Sequence, residues 1–270
     1  MIVRMLLALT FAAALFAAAD QPLPEKLEGV GIEEKLGEKI DLDLTFIGEN
    51  GYPVALRDYF TTGRPVILDL VYYTCPMLCN LVLNAQTKTL RQIPWTPGEE
   101  FEVVTISIDP TENFGLARKK KALYLGHYER PAPGWHFLTD NEGHAKKLAE
   151  QIGFHYRYIE DRGQFAHAAA IMVLTGDGVV SRYLYGIRFK TRDMRLALSE
   201  ASDGKVGTIT DRVLLFCFHY DPTEKAYTLF ATNVMRGGGV LVMLVLGLFL
   251  LLLWRRERSR PRPDKLISAQ

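Results

Sequence analysis

Pro65 to Asn80, PVILDLVYYTCPMLCN, runs an apolar strand straight into a pair of cysteines. Val66 to Tyr73 is β-branched and aromatic with one acid, Asp69, the composition of a strand buried on both faces of a sheet. Pro76 suits the first helical turn, where a backbone N–H has no intrahelical partner, and Leu78, Leu81, Val82 and Ala85 follow at helical spacing. The expected helix therefore has Cys75 as its cap and Cys79 one turn in. Residues four apart share a face, so both sulfurs point at one spot, and the positive helix end favours thiolate there. Such a pair holds a soft metal or cycles through a disulfide. Cys75 and Cys79 are candidate metal ligands and, equally, a candidate redox dithiol.

The ends of the chain place this unit. Met1 to Ala19 carries Arg4, an apolar run and a small-residue end, the pattern of a signal peptide cleaved after Ala19. Gly237 to Trp254 has 18 residues without a charge and reads as a transmembrane helix. Residues 255–270, with six basic and two acidic residues, are then a cytoplasmic tail by the positive-inside rule. Residues 20–236 form the extracytoplasmic domain of a cell-membrane protein with a single C-terminal anchor, on the periplasmic side in a bacterium with two membranes. Without Arg4 and the tail this domain has 25 basic against 29 acidic residues, which argues against a nucleic-acid binder. Unprotected thiols there meet an oxidising environment.

Taken in order, Leu42 to Leu56 reads as a hairpin turning at Asn50-Gly51. The strand at Val66, the cysteine helix and a second buried strand, Phe101 to Ile108, make a right-handed crossover on a parallel sheet. A helix over 111–128 follows, with Arg118 to Lys121 on a solvated face, then a strand at His136 to Leu138 and a helix capped by Asp140. Ala170 to Leu174 and Val179 to Tyr185 form a hairpin about Gly176-Asp177-Gly178, before a final helix over 191–202. The order βαβ then ββα, with the cysteines at the first strand-to-helix turn, predicts an α/β thioredoxin-like fold with an N-terminal β-ribbon and an inserted helix, plus the C-terminal transmembrane helix.

Three features carry a resemblance: the run VYYTCPMLCN, the segment SIDPTE at Ser107 to Glu112, and His167, 88 residues beyond the second cysteine and just before the Gly-Asp-Gly hairpin. Together they resemble the Sco (SenC) family over roughly Leu42 to Leu198. The resemblance implies that copper is bound by Cys75, Cys79 and His167, and that the protein assembles the CuA centre of a haem-copper respiratory oxidase. The implied partners are the oxidase subunit that carries CuA, a thiol reductant and an upstream copper donor. In this family the histidine usually follows an acid and precedes Ser or Thr, whereas Ala166 and Ala168 flank it here. The usual family anchor is N-terminal, so the C-terminal helix is another departure.

Two thiolates and an imidazole suit copper, as Cu(I) or Cu(II), and would suit Zn(II) if a fourth ligand were supplied. The two functions that follow are a membrane-tethered copper chaperone and a thiol-disulfide oxidoreductase acting on a recipient's cysteines. Ligand exchange calls for an exposed site, which loop-borne ligands would give. Asp109 matches the family's strand-end aspartate and is also an ordinary strand exit. Met77 is expected to pack its helix onto the sheet rather than to offer a thioether. Cys217 and His219, two apart in a strand, are either a second soft-metal pair or a buried thiol among phenylalanines. His127, His136, His144 and His155 show no ligand pattern.

Overall fold

The structure, a computed structural model, describes residues 29–203, 218–221, 226–229 and 231–258. The expected signal peptide and the tail beyond Arg258 lie outside the described residues. The chain enters through β1 (Gly31–Ile32) and the ribbon of β2 (Thr45–Ile47) and β3 (Pro53–Ala55), which turns at Asn50-Gly51 as its sequence requires. Gly51 sits at φ 88°, a conformation that an added Cβ disfavours.

Alternation then takes over: β4 (Val66–Val71), α1 (Leu78–Arg91), β5 (Glu102–Ser107), α2 (Phe114–Tyr128), β6 (Trp135–Leu138) and α3 (His144–Gln151). Three short strands, β7 (Phe154–His155), β8 (Arg157–Ile159) and β9 (Gln164–Ala166), lead to the hairpin β10 (Ala170–Leu174) and β11 (Val180–Tyr185), and α4 (Thr191–Ala201) closes the domain. Beyond it come the pair β12 (Phe218–Asp221) and β13 (Ala226–Leu229), and α5 (Ala231–Arg258). The main sheet has the order β11-β10-β4-β5-β6, parallel across β4, β5 and β6 and antiparallel across β10 and β11. Helix α2 packs on β6, α4 packs on β10 and β11, and α1 touches both helices. This is the thioredoxin-like α/β arrangement that the order of elements predicts.

Every residue of β4 and β5 is buried, which explains why both strands are mainly apolar. Asp69 is tolerated in β4 because it lies opposite Thr105 in β5, whose hydroxyl donates to its carboxylate at 2.8 Å. Trp135 Nε1 donates in turn to that hydroxyl at 3.2 Å. Asp69 Oδ1 and both amide atoms of Gln86 on α1 have no hydrogen-bond partner among the described residues.

Helix starts differ from the sequence expectation. Helix α1 begins at Leu78 with Met77 in the cap position, and α2 begins at Phe114, capped by the Asn113 side chain on the Gly115 and Leu116 amides. Asp140 does not cap α3, where Gly143 takes the cap position at φ 84°. The aspartate still accepts the amides of Glu142 and Ala145 from further back, so it serves the helix start through the turn. Arg118 and Lys119 are solvated as expected, but Lys121 pairs with Glu49 and both side chains are largely covered.

One close approach ties the entry segment down. Gly153, at φ 61°, accepts the Glu33 amide at 2.9 Å, and a Cβ there would overlap the Glu33 carbonyl. Gly153→Ala should destabilise the domain by about 2–4 kcal/mol, from left-handed strain plus backbone displacement. A urea midpoint within error of the unmodified chain would show that the β1 segment is not held this way.

Helix α5 carries an apolar window, Gly239–Arg256, of mean hydropathy 2.1 with none of its residues buried. It is long and apolar enough to cross a membrane.

Candidate metal centre

The β4 strand delivers the chain into the 72–80 loop, and three sets of hydrogen bonds fix that loop. Tyr72 N–H donates to Cys79 Sγ at 3.4 Å, and Cys79 N–H donates to Cys75 Sγ at 3.3 Å. Cys75 is thus not the cap residue, because Pro76 and Met77 extend the turn before α1 begins. Its sulfur nevertheless accepts one of the N–H groups that the helix start leaves unpaired. Asn80 Nδ2 donates to the Cys75 carbonyl at 2.9 Å, while its Oδ1 accepts from Lys120 Nζ and Tyr124 OH on α2. From the other side, the Glu112 carboxylate accepts the amides of Tyr73 and Thr74 at 2.7 and 2.6 Å.

His167 arrives on the segment between β9 and β10, and its Nε2 lies 3.1 Å from Cys79 Sγ. Its Nδ1 is 2.8 Å from the carbonyl of Ala168. A carbonyl only accepts, so Nδ1 carries the proton of the neutral ring and Nε2 presents its lone pair to the sulfurs. The chain's own backbone thereby supplies the orientation that an acidic neighbour would otherwise provide. Tyr72 and Phe154 wall the imidazole, each with its ring centroid 6.0 Å away.

The two sulfurs and a nitrogen of His167 all lie within 4.8 Å of one another. That spacing is close to what one ion held at about 2.0–2.3 Å from nitrogen and sulfur requires. Cys2His donors suit a soft ion, and copper fits them. The expected exposure is not found: Cys75, Cys79 and His167 are 5%, 1% and 9% exposed. The tight loop and the aromatic wall cover them, and the open edge is made by Thr74, Pro76 and Met77. Met77, at 65% exposed, stands out from the sheet rather than packing against it.

The thiols are unlike one another. The Cys79 thiol hydrogen-bonds Cys75 and, against burial, holds it well below the ordinary cysteine range, with the amides of Cys79 and Met77 adding to the effect. Burial pushes Cys79 far up, and the neighbouring Cys75 reinforces the shift. Both are free thiols. Cys75 is therefore the more readily ionised of the two.

The other candidates separate. Asp109 accepts from the Thr111 amide and hydroxyl at 2.9 and 2.6 Å, so it shapes the strand exit. His144 bonds the Thr45 carbonyl, His136 lies tilted against the Tyr59 ring, His155 lies beside Glu33 and His127 meets Tyr124 edge-on. None of them joins the centre. Cys217 lies outside the described residues. His219 falls in β12 opposite Thr228, with its side chain outside the description. Sequence reasoning missed Glu112 and Asn80, although Glu112 closes the quoted SIDPTE segment.

Comparison with known proteins bears on the fold and the family. No curated protein matches the chain. A putative electron transfer protein from Aquifex aeolicus VF5 is similar in fold, at TM-score 0.56 and 23% identity over 63% of this chain and 96% of its own. A SCO1/SenC family lipoprotein from Bacillus anthracis str. Ames follows at 0.50 and 16%, over 64% and 98%. Arabidopsis thaliana ScoI, solved with copper bound, matches at 0.45 and 18%, over 58% and 94%. The family model described as SCO1/SenC matches residues 33–199, a span that contains the cysteine loop, Glu112 and His167, and the chain belongs to that family.

Proposed function

We propose that this protein is a membrane-tethered copper chaperone that holds copper at Cys75, Cys79 and His167 and passes it to the CuA site of a haem-copper respiratory oxidase. The observation that carries this reading is the meeting of two sulfurs and an unprotonated Nε2 within 4.8 Å, in a chain of this family. Copper is the cargo. Cys79, the most enclosed of the three at 1% exposed, would retain it, and Cys75, beside the open edge at Thr74, Pro76 and Met77, is placed to let it go. In this reading residues 1–19 are a signal peptide, 20–236 the extracytoplasmic domain, 237–254 the membrane span and 255–270 the cytoplasmic tail. The apolar, unburied face of α5 and the arginines that end its apolar window support that order.

A second reading rests on the unlike thiols. A low-lying Cys75 beside a protonated Cys79 is the arrangement of an attacking and a resolving thiol in a disulfide reductase. The two readings diverge at His167. We expect the full chain in detergent, carrying one Cu(I), to build the optical spectrum of CuA in a copper-free oxidase domain, and His167→Ala to lose that transfer. Transfer failing in the unmodified chain, with reduction of the domain's disulfide intact in both, would replace the chaperone by the reductase.

A further inference from the structure

Glu112 is 7% exposed and makes three short hydrogen bonds. Its Oε1 accepts the Thr74 amide at 2.6 Å, and its Oε2 accepts the Tyr73 amide at 2.7 Å and the Ser107 hydroxyl at 2.6 Å. Each partner donates, so the group they select is a carboxylate anion without a proton. No cation pairs with it among the described residues. It does not start α2 either, since Asn113 holds that cap. A buried negative charge, neutralised only by dipoles, is thus fastened to the two residues that precede Cys75. A loop brace alone needs acceptors, not a charge, and a buried charge is costly to keep.

We propose that Glu112 is a positioning residue whose buried charge sets the redox balance of the Cys75–Cys79 pair, favouring the disulfide over the dithiol. Reduction by an external dithiol breaks the S–S bond, places two electrons on the sulfurs and leaves them to bind protons or keep negative charge, while the external dithiol closes to its own disulfide. Charge retained on sulfur sits in the field of Glu112, whereas the disulfide is neutral. Only the reduced pair offers two sulfurs to copper, so on the chaperone reading Glu112 sets the fraction of protein able to load.

The test uses the full chain in detergent, free of metal, equilibrated with dithiothreitol at known ratios of its two forms. Because no copper is present, the outcome stands whether or not the chaperone reading survives. Glu112→Gln should shift the equilibrium about tenfold toward the dithiol, equivalent to about 30 mV. Glu112→Asp, which keeps the charge, should stay near the unmodified chain even where its shorter reach lowers the melting temperature. Ser107→Ala removes one compensating donor and should move the equilibrium about two- to threefold the other way, which keeps the test decisive if Glu112→Gln does not fold. An unchanged equilibrium in Glu112→Gln, equal shifts in the Gln and Asp variants, or a shift toward the dithiol in Ser107→Ala would each reduce Glu112 to a loop brace.

Discussion

Under reducing, oxygen-free conditions the full chain should take up one Cu(I) tightly against a competing chelator, and Cys75→Ser, Cys79→Ser and His167→Ala should each weaken that uptake at least about a hundredfold. The estimate treats each ligand as a share of about 3 kcal/mol in a site worth about 10–16 kcal/mol as a whole. His167→Ala carries more than the lost donor. It opens a void against Tyr72 and Phe154 and leaves Cys79 Sγ without its 3.1 Å partner. Equal affinity in His167→Ala and the unmodified chain would remove the imidazole from the site and with it the Cys2His reading.

The second large effect concerns pH and lies under the centre rather than in it. Burial pushes the Asp69 carboxyl from an ordinary 3.8 up to about 7, against the opposing hydrogen bond from Thr105. Below about pH 4 the group is protonated in folded and unfolded chains alike. Between there and pH 7 the folded chain keeps a proton that the unfolded chain has released, so stability falls as pH rises. Above pH 7 the loss levels off at about 4 kcal/mol. Asp69→Asn should flatten this fall and leave the variant more stable than the unmodified chain at pH 8, with little difference at pH 4. Urea unfolding in detergent across that range reads the difference, and a parallel pH profile in the two proteins would show that Asp69 does not titrate there.

What could be read in the sequence, and what could not, follows from where each residue's partners lie. The β4 and β5 runs are legible because burial on both faces leaves no polar alternation, and the Asn50-Gly51 turn because its backbone demands it. The cysteine pair and its late histidine stand out as residue types. Helix starts were misplaced by up to three residues at Cys75, Thr111 and Asp140, because turns precede all three helices, and Cys75 and Asp140 act on their helix ends from outside the cap position. Glu112 escaped for another reason. Its partners are the Tyr73 and Thr74 amides, 39 and 38 residues away, and no local pattern announces a long-range bond between a carboxylate and a backbone. The enclosure of the centre was likewise invisible, since Phe154 and Tyr72 meet His167 only once the sheet has formed.

The bond between His167 Nδ1 and the Ala168 carbonyl has a consequence for how such sites drift in evolution. When a main-chain oxygen chooses the tautomer, the side chains on either side of the histidine are released from selection for that task. Alanines can then stand at 166 and 168, and the constraint passes to the path of the backbone between β9 and β10. A designer transplanting this centre would accordingly have to copy a bend in the chain, not a string of letters.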